Sequence, residues 1–273
     1  PAPFAMLFVL SPAKALDYDS VLPTELPHSK PLFPEQSAEL IAVLQQYAPQ
    51  QIASLMGISD KLAMLNVARY IAWQPKSGAD NARQALLAFN RDVYEGLQAA
   101  TLSMEQLQWA QQHLCILSGL YSVLRPLDWM QPYRLEMGTA LPTARGKNLY
   151  QFWGSQIADY LRHRMDEQSL AKGADKASAH ILVNLASQEY FKAVDCAALR
   201  ARVIDCVFED YKGGVWKIIT FYAKRARGLM MRHCIETCAS HPRDLMAFNS
   251  AGYAYAPEVS SADRLVFRRR NAD

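Results

Sequence analysis

Long apolar runs are missing from this sequence. No stretch approaches the ~20 consecutive apolar residues that cross a bilayer, and the longest, residues 6–10, has the length of a strand. A membrane partner is therefore not expected. Cysteines are few and odd in number: Cys115, Cys196, Cys206, Cys234 and Cys238. Their spacings form no paired framework, which argues for a reduced, cytoplasmic chain. Cys234 and Cys238 lie one helical turn apart beside His233, but a metal site needs more ligands nearby, so both are read as buried structural thiols. The six histidines show no close ligand spacing, and no facial triad or thiolate cluster is visible. No metal and no cofactor are expected. Charge of one sign is not in excess either: 29 basic against 26 acidic residues leave a formal charge of +3. An electrostatic function must then come from where the charge sits. Internal repeats, low-complexity runs and interdomain linkers are absent as well.

What remains is ordinary globular material. Apolar residues make up 51% and charged residues 20% of 273 positions, enough for one large core. The natural start is expected at Met6, with residues 1–5 set aside. Residues 6–10 and 181–185 read as buried strands. Periodicity predicts helix over residues 37–73, interrupted at Pro49 and Gly57. It also predicts helices over residues 103–113, with Ser103 as N-cap and Gln106 at the capping-box position, and over residues 149–165. Leu86 to Phe89 reads as a short strand. Residues 203–211 and 215–221 read as strands joined at Lys212-Gly213-Gly214, residues 222–237 as a helix, and residues 253–256 and 265–268 as a final strand pair. Helices and strands mix without a regular alternation, so the expected class is α+β, a single mixed domain over residues 6–270.

Four features could carry function. Around residues 50–70, Leu55-Met56-Gly57-Ile58-Ser59-Asp60-Lys61 resembles a helix-hairpin-helix, whose turn N–H groups and second helix face a phosphate. Ser59 stands where that motif carries its second glycine; it can cap the following helix but narrows the approach. The competing reading is a packing corner in which Leu55, Ile58, Leu62 and Leu65 fill the core. Next, residues 212–232 hold Lys212, Lys217, Lys224, Arg225, Arg227 and Arg232 with no acid. On a helical wheel the last four span an arc of about 160°. Gly228 lies inside that arc and would allow close approach of an anionic partner, most often phosphate. In the alternative, acids elsewhere pair with these cations. A third feature, Ser11-Pro12-Ala13-Lys14, has the spacing of a serine nucleophile motif. Pro12 after a strand denies it the helix it needs, so Lys14 is read as a strand-end lysine presented to a site. Finally, residues 120–128 and 132–138 gather arginine, tyrosine and acid among turn formers. They form either a site-lining loop with tyrosines for stacking or a rigid loop locked by Arg125–Asp128 and Arg134–Glu136 pairs.

The motifs Ser11-Pro12-Ala13-Lys14-Ala15-Leu16-Asp17-Tyr18, Leu65-Asn66-Val67-Ala68-Arg69-Tyr70, Gly119-Leu120-Tyr121-Ser122-Val123-Leu124-Arg125-Pro126-Leu127-Asp128, Pro132-Tyr133-Arg134-Leu135-Glu136-Met137-Gly138-Thr139, Asn184-Leu185-Ala186-Ser187-Gln188-Glu189-Tyr190-Phe191-Lys192 and Ala223-Lys224-Arg225-Ala226-Arg227-Gly228 occur in fixed order. Over residues 6–268 they resemble the YaaA peroxide-stress family of bacteria. The resemblance implies an α+β fold with a helix-hairpin-helix and a positively charged cleft that binds double-stranded DNA. It also implies a role in lowering free iron under peroxide, which limits oxidative DNA damage. It places Lys14, Lys192, Lys212, Lys217, Lys224, Arg225, Arg227 and Arg232 around the cleft, and Gly57, Ser59, Lys61 and Arg69 on the hairpin element. Arg91 departs from the family, which has glycine there. A monomer is expected. The alternative is an enzyme acting on a small phosphorylated or nucleotide-like ligand in the same cleft, with Lys14, Asp17, Glu189 and Asp210 as acid–base partners.

Overall fold

A computed structural model describes residues 5–173 and 180–270. The first strand, Ala5–Leu10 (β1), is buried at every position. Ala5 pairs with His180, so the strand begins one residue before the expected start. After the short strand Ala15–Leu16 (β2), the chain forms the helices Pro34–Leu44 (α1), Pro49–Met56 (α2) and Asp60–Ala72 (α3). Prolines open α1 and α2, where the missing N–H costs nothing. Gly57 ends α2 at φ +61°, and Ser59 caps α3 by accepting the Leu62 N–H. Leu55 and Ile58 pack on the core, whereas Leu62 and Leu65 are 38% and 45% exposed, so the packing-corner reading holds for only half of its four residues.

Next come Arg83–Gln84 (β3), Ala85–Ala88 (α4), Phe89–Asn90 (β4), Val93–Leu97 (α5) and Met104–His113 (α6). The strand expected at 86–89 is instead one helical turn and a two-residue strand; a four-residue apolar run has no period to separate the two. Ser103 and Gln106 form the expected capping box on α6. Arg91 has φ +66°, in the left-handed region that favours glycine.

The chain continues through Leu114–Ser118 (β5), Ser122–Leu124 (β6), Trp129–Met130 (β7), Leu149–Trp153 (α7) and Gln156–Ala171 (α8). The helix expected over 149–165 is thus broken, at Gly154 with φ +53°. His180–Leu185 (β8), Gln188–Phe191 (α9), Cys196–Leu199 (α10), Arg202–Lys212 (β9) and Val215–Lys217 (β10) follow. The Gly213-Gly214 turn joins β9 and β10 with both glycines at positive φ, but β10 pairs over only three residues and the chain turns helical at Thr220. Thr220–Thr237 (α11), Pro242–Met246 (α12), Ala254–Tyr255 (β11) and Arg264–Arg270 (β12) complete the chain.

Eight strands form one sheet in the order β11-β12-β9-β8-β1-β5-β6, with β10 beside β9. Its centre is parallel: β1 pairs in parallel with β5 and β8, and β9 with β8 and β12. The class is therefore mixed α/β with a mostly parallel sheet rather than the expected α+β. The continuous apolar runs of β1 and β8 suit strands covered on both faces. The alternation was hidden because six helices, α1 to α6, intervene between β1 and its neighbour β5. The cysteines are free thiols; Cys115, Cys206 and Cys234 are buried, but Cys238 is exposed at the end of α11, contrary to the buried role expected for it. No helix among the described residues is long and apolar enough to cross a membrane.

Candidate functional site

From β1 the chain passes to β5 on one side of it, then returns to β8 on the other. The loops leaving the carboxyl ends of β1 and β8 diverge there, and open parallel sheets bind ligands in such a crevice. Residues 11–14 follow β1, and residues 187–190, the N-cap and first residues of the short helix α9, follow β8. Ser11 Oγ stitches them, accepting the Ser187 N–H at 2.8 Å and donating to Ser187 Oγ at 3.3 Å. Tyr94 donates to the Ser11 carbonyl at 2.9 Å.

Around this point lies a cleft of about 460 Å³. Its walls are the two loops, Asp92 and Val93 at the head of α5, residues 133–136, and Ile218, Thr220, Ala223, Lys224 and Arg227 at the start of α11. Four cations (Lys14, Arg134, Lys224, Arg227) and three carboxylates (Asp92, Glu136, Glu189) face it, so the excess of positive charge is one. Glu136 joins Arg134 at 3.1 Å and Lys14 at 3.3 Å. Glu189 accepts the Gly138 N–H at 3.0 Å. Lys224 stands 3.9 Å from Asp92. Arg227 is half-buried and, among the described residues, has no hydrogen-bond or ion-pair partner; burial depresses its pKa. Burial also raises the Tyr133 and Tyr190 phenols well above their ordinary value, so both stay protonated. Neither can act as a base near neutral pH, and the Tyr133 hydroxyl is held by the buried Ser118 hydroxyl at 2.5 Å.

The residues named from sequence divide. Lys14, Lys224 and Arg227 meet in the cleft with Glu189. Arg225 and Arg232 do not. On the wheel, the centre of the cationic arc is Gly228, and α5 occupies it: a β-carbon on Gly228 would stand 1.7 Å from Val93 O, and one on Gly96 2.2 Å from Arg225 O. The glycine admits a helix, not a ligand. It leaves Lys224 and Arg227 on the cleft side, while Arg225 edges a separate pocket with Phe221, Tyr222, Tyr253 and Arg269. Arg232 pairs with Glu236 at 2.7 Å and donates to the carbonyls of Leu97 and Gln98, closing the end of α5. Lys192 lies over the Tyr150 ring at 4.9 Å. Lys212 and Lys217 are exposed on the β9–β10 hairpin.

Gly57, Ser59 and Lys61 sit on the α2–α3 turn, exposed. Tyr70 ties that turn to the cleft wall: its hydroxyl donates to the Arg134 carbonyl and lies 3.5 Å from Met56 Sδ. Arg69 lines a different cavity. Asp17 and Asp210 lie outside the cleft and cannot be its acid–base groups. Asp17 accepts from Ser20 and Asp19, and fully buried Asp210 is held by Arg269 at 2.5 Å and Tyr253 at 2.8 Å.

Both pairs expected in the 120–138 region form, Arg125–Asp128 at 2.9 Å and Arg134–Glu136 at 3.1 Å. Tyr121 is buried away from any partner base, while Tyr133, Arg134 and Glu136 line the cleft. Arg134, Glu136, Asp92 and Tyr190 were not selected as site residues from sequence. Tyr190 had the one usable signal: it follows a buried strand by a few residues, as Lys14 does. Among the described residues, no group of three or more His, Cys, Asp or Glu side chains could hold a metal ion.

Comparison with known proteins agrees with the motifs. The family model described as peroxide stress protein YaaA matches residues 6–259. A UPF0246 protein of Delftia acidovorans is 62% identical over 268 residues, covering 98% of this chain and 100% of its own length. A UPF0246 protein of Polaromonas sp. is 62% identical over 270 residues (98% and 100%), and one of Bordetella petrii 59% over 265 residues (97% and 100%). With a family model over most of its length and relatives near 60% identity along whole chains, this chain belongs to the YaaA peroxide stress protein family.

Proposed function

We propose that the protein binds a phosphate-bearing ligand of nucleotide size in the cleft at the carboxyl edge of its sheet. Arg227 carries this reading. A half-buried guanidinium cannot discharge by losing its proton, and without a counter-ion it bears the cost of desolvation alone. An anion entering beside it, with Lys224 and Lys14 at the same opening, removes that cost. The volume of about 460 Å³ suits a small molecule or one nucleotide rather than a duplex. Glu136 and Glu189 are acceptors for hydroxyl or amino groups of the same ligand. A thermal-shift panel of inorganic phosphate, nucleoside mono-, di- and triphosphates and a short duplex tests it. A nucleotide should raise the melting temperature of wild type and fail to do so for Arg227→Ala. Stabilisation by the duplex alone would refute it.

A second reading is contact with double-stranded DNA, in keeping with a peroxide-stress role that protects DNA from iron-dependent damage. Its own support is the α2–α3 turn, where Gly57, Ser59 and Lys61 are exposed, and the exposed Lys212 and Lys217. None of these three lysines has a partner among the described residues. Duplex affinity should then fall with salt at a log–log slope of about −0.9 per phosphate contacted. Lys61→Ala should lower affinity and reduce the slope by about one unit with folding unchanged. A flat salt titration would remove this reading.

A further inference from the structure

Behind the carboxyl end of α3 lies a second cavity of about 420 Å³, lined by residues none of which borders the cleft. Arg69 reaches it from α3 and Arg83 from β3. The Arg83 side chain is 9% exposed. Its Nη2 donates to the Ser20 carbonyl at 2.5 Å, but its buried Nη1 makes no hydrogen bond. The nearest carboxylate oxygen, Asp17 Oδ1 at 3.7 Å, already accepts the N–H groups of Asp19 and Ser20. Arg69 is half-buried, and its guanidinium donates to Asn66 Oδ1 at 3.3 Å; among the described residues no carboxylate forms an ion pair with it.

Both arginines line this cavity together with Tyr18. Arg83 lies 5.9 Å from the Tyr18 ring centroid. Burial raises the Tyr18 pKa far above normal, and the positive charges of Arg69 and Arg83 oppose that rise. The Tyr18 hydroxyl is itself spent on the Met130 carbonyl at 2.5 Å and neutralises neither cation. The remaining wall is largely apolar, with Leu22, Ala72, Trp73 and Pro132. Asp80 also borders the cavity, its carboxylate close to Gly78.

Two incompletely paired arginines lining one cavity with a largely apolar wall suit a dianion attached to an apolar body. We propose that this cavity is a second binding site for a small phosphate monoester, with the phosphate between Arg69 and Arg83 and the organic group against Trp73 and Pro132. Guanidinium forks match phosphate oxygens in pairs, and a dianion answers two cations. The proposal does not depend on a ligand in the first cleft.

Isothermal titration with phenyl phosphate, on Arg227→Ala protein so that the first cleft is weakened, isolates this site. One binding event should remain. Adding Arg69→Gln should weaken it at least tenfold, while circular dichroism and melting stay close to the Arg227→Ala parent. Arg83→Lys, which keeps the charge and loses the fork, should weaken it as well. No binding to Arg227→Ala protein, or binding that Arg69→Gln leaves unchanged, would overturn the proposal.

Discussion

Replacing Gly228 by alanine probes the joint on which the cleft is hung. A β-carbon there would stand 1.7 Å from the Val93 carbonyl oxygen, 2.8 Å from its carbon and 2.9 Å from the Leu97 nitrogen. All three are backbone atoms of α5, so no side chain can swing aside. An ordinary carbon–oxygen approach is about 3.4 Å, so α5 and α11 must part by roughly 1.5 Å. A gap of that size forfeits much of the dispersion contact along the joint. Overpacking of this kind costs about 1–3 kcal/mol, sometimes more, and backbone resistance puts this site at the upper end. Alanine returns about 1 kcal/mol through helix propensity, leaving a net loss of about 2 kcal/mol. For a chain of this size that is a drop on the order of 5 °C in melting temperature, readable by circular dichroism. Because α5 starts next to Asp92 while α11 carries Lys224 and Arg227, the same separation should widen the cleft and weaken its ligand. A Gly228→Ala protein that melts with wild type would refute the claim that these helices touch through their backbones.

Gly57→Ala meets no atom within 4 Å but keeps a φ of +61°, so it should destabilise by roughly 1 kcal/mol through backbone strain alone, measurable by urea unfolding. Arg91→Gly should do the opposite: with φ at +66°, removing the β-carbon should stabilise by up to about 1 kcal/mol in the same assay. His113 gives a pH signature. Burial holds its pKa below the ordinary 6.5, so the unfolded chain binds the proton more readily. Its contribution to stability is complete above that value and is lost as pH falls through it. Thermal melts between about pH 5 and 7.5 should show this slope in wild type and a flatter one in His113→Gln.

How much of this was legible in the sequence depends on whether a signal is local. The strands β1 and β8 could be read because both faces are covered and every position is apolar or nearly so. The Ser103 capping box and the glycine turn between β9 and β10 are fixed by neighbours in the chain and stand as expected. The parallel order of the sheet could not be read, since helices α1 to α6 are inserted between the adjacent strands β1 and β5. The face of α11 was misjudged for a related reason. A wheel shows where cations cluster, but not that α5 lies across the middle of the cluster at Gly228. The cleft is assembled from five separate stretches of chain; Lys14 and Glu189 gave notice of it by standing just after strands, and Lys224 and Arg227 by their cationic stretch. Arg134 and Glu136 were visible as an ion pair; that the pair faces a cleft is a tertiary fact.

Phosphate binding in the cleft at the carboxyl edge of the sheet is proposed to rest on Arg227. Isothermal titration of wild type and Arg227→Ala protein with a nucleoside monophosphate tests it most directly. A charged hydrogen bond is worth about 1.5–3 kcal/mol, so wild type should bind saturably and the variant with affinity lower by roughly 10- to 100-fold. Equal affinity in the two proteins, or no binding to wild type, would contradict it.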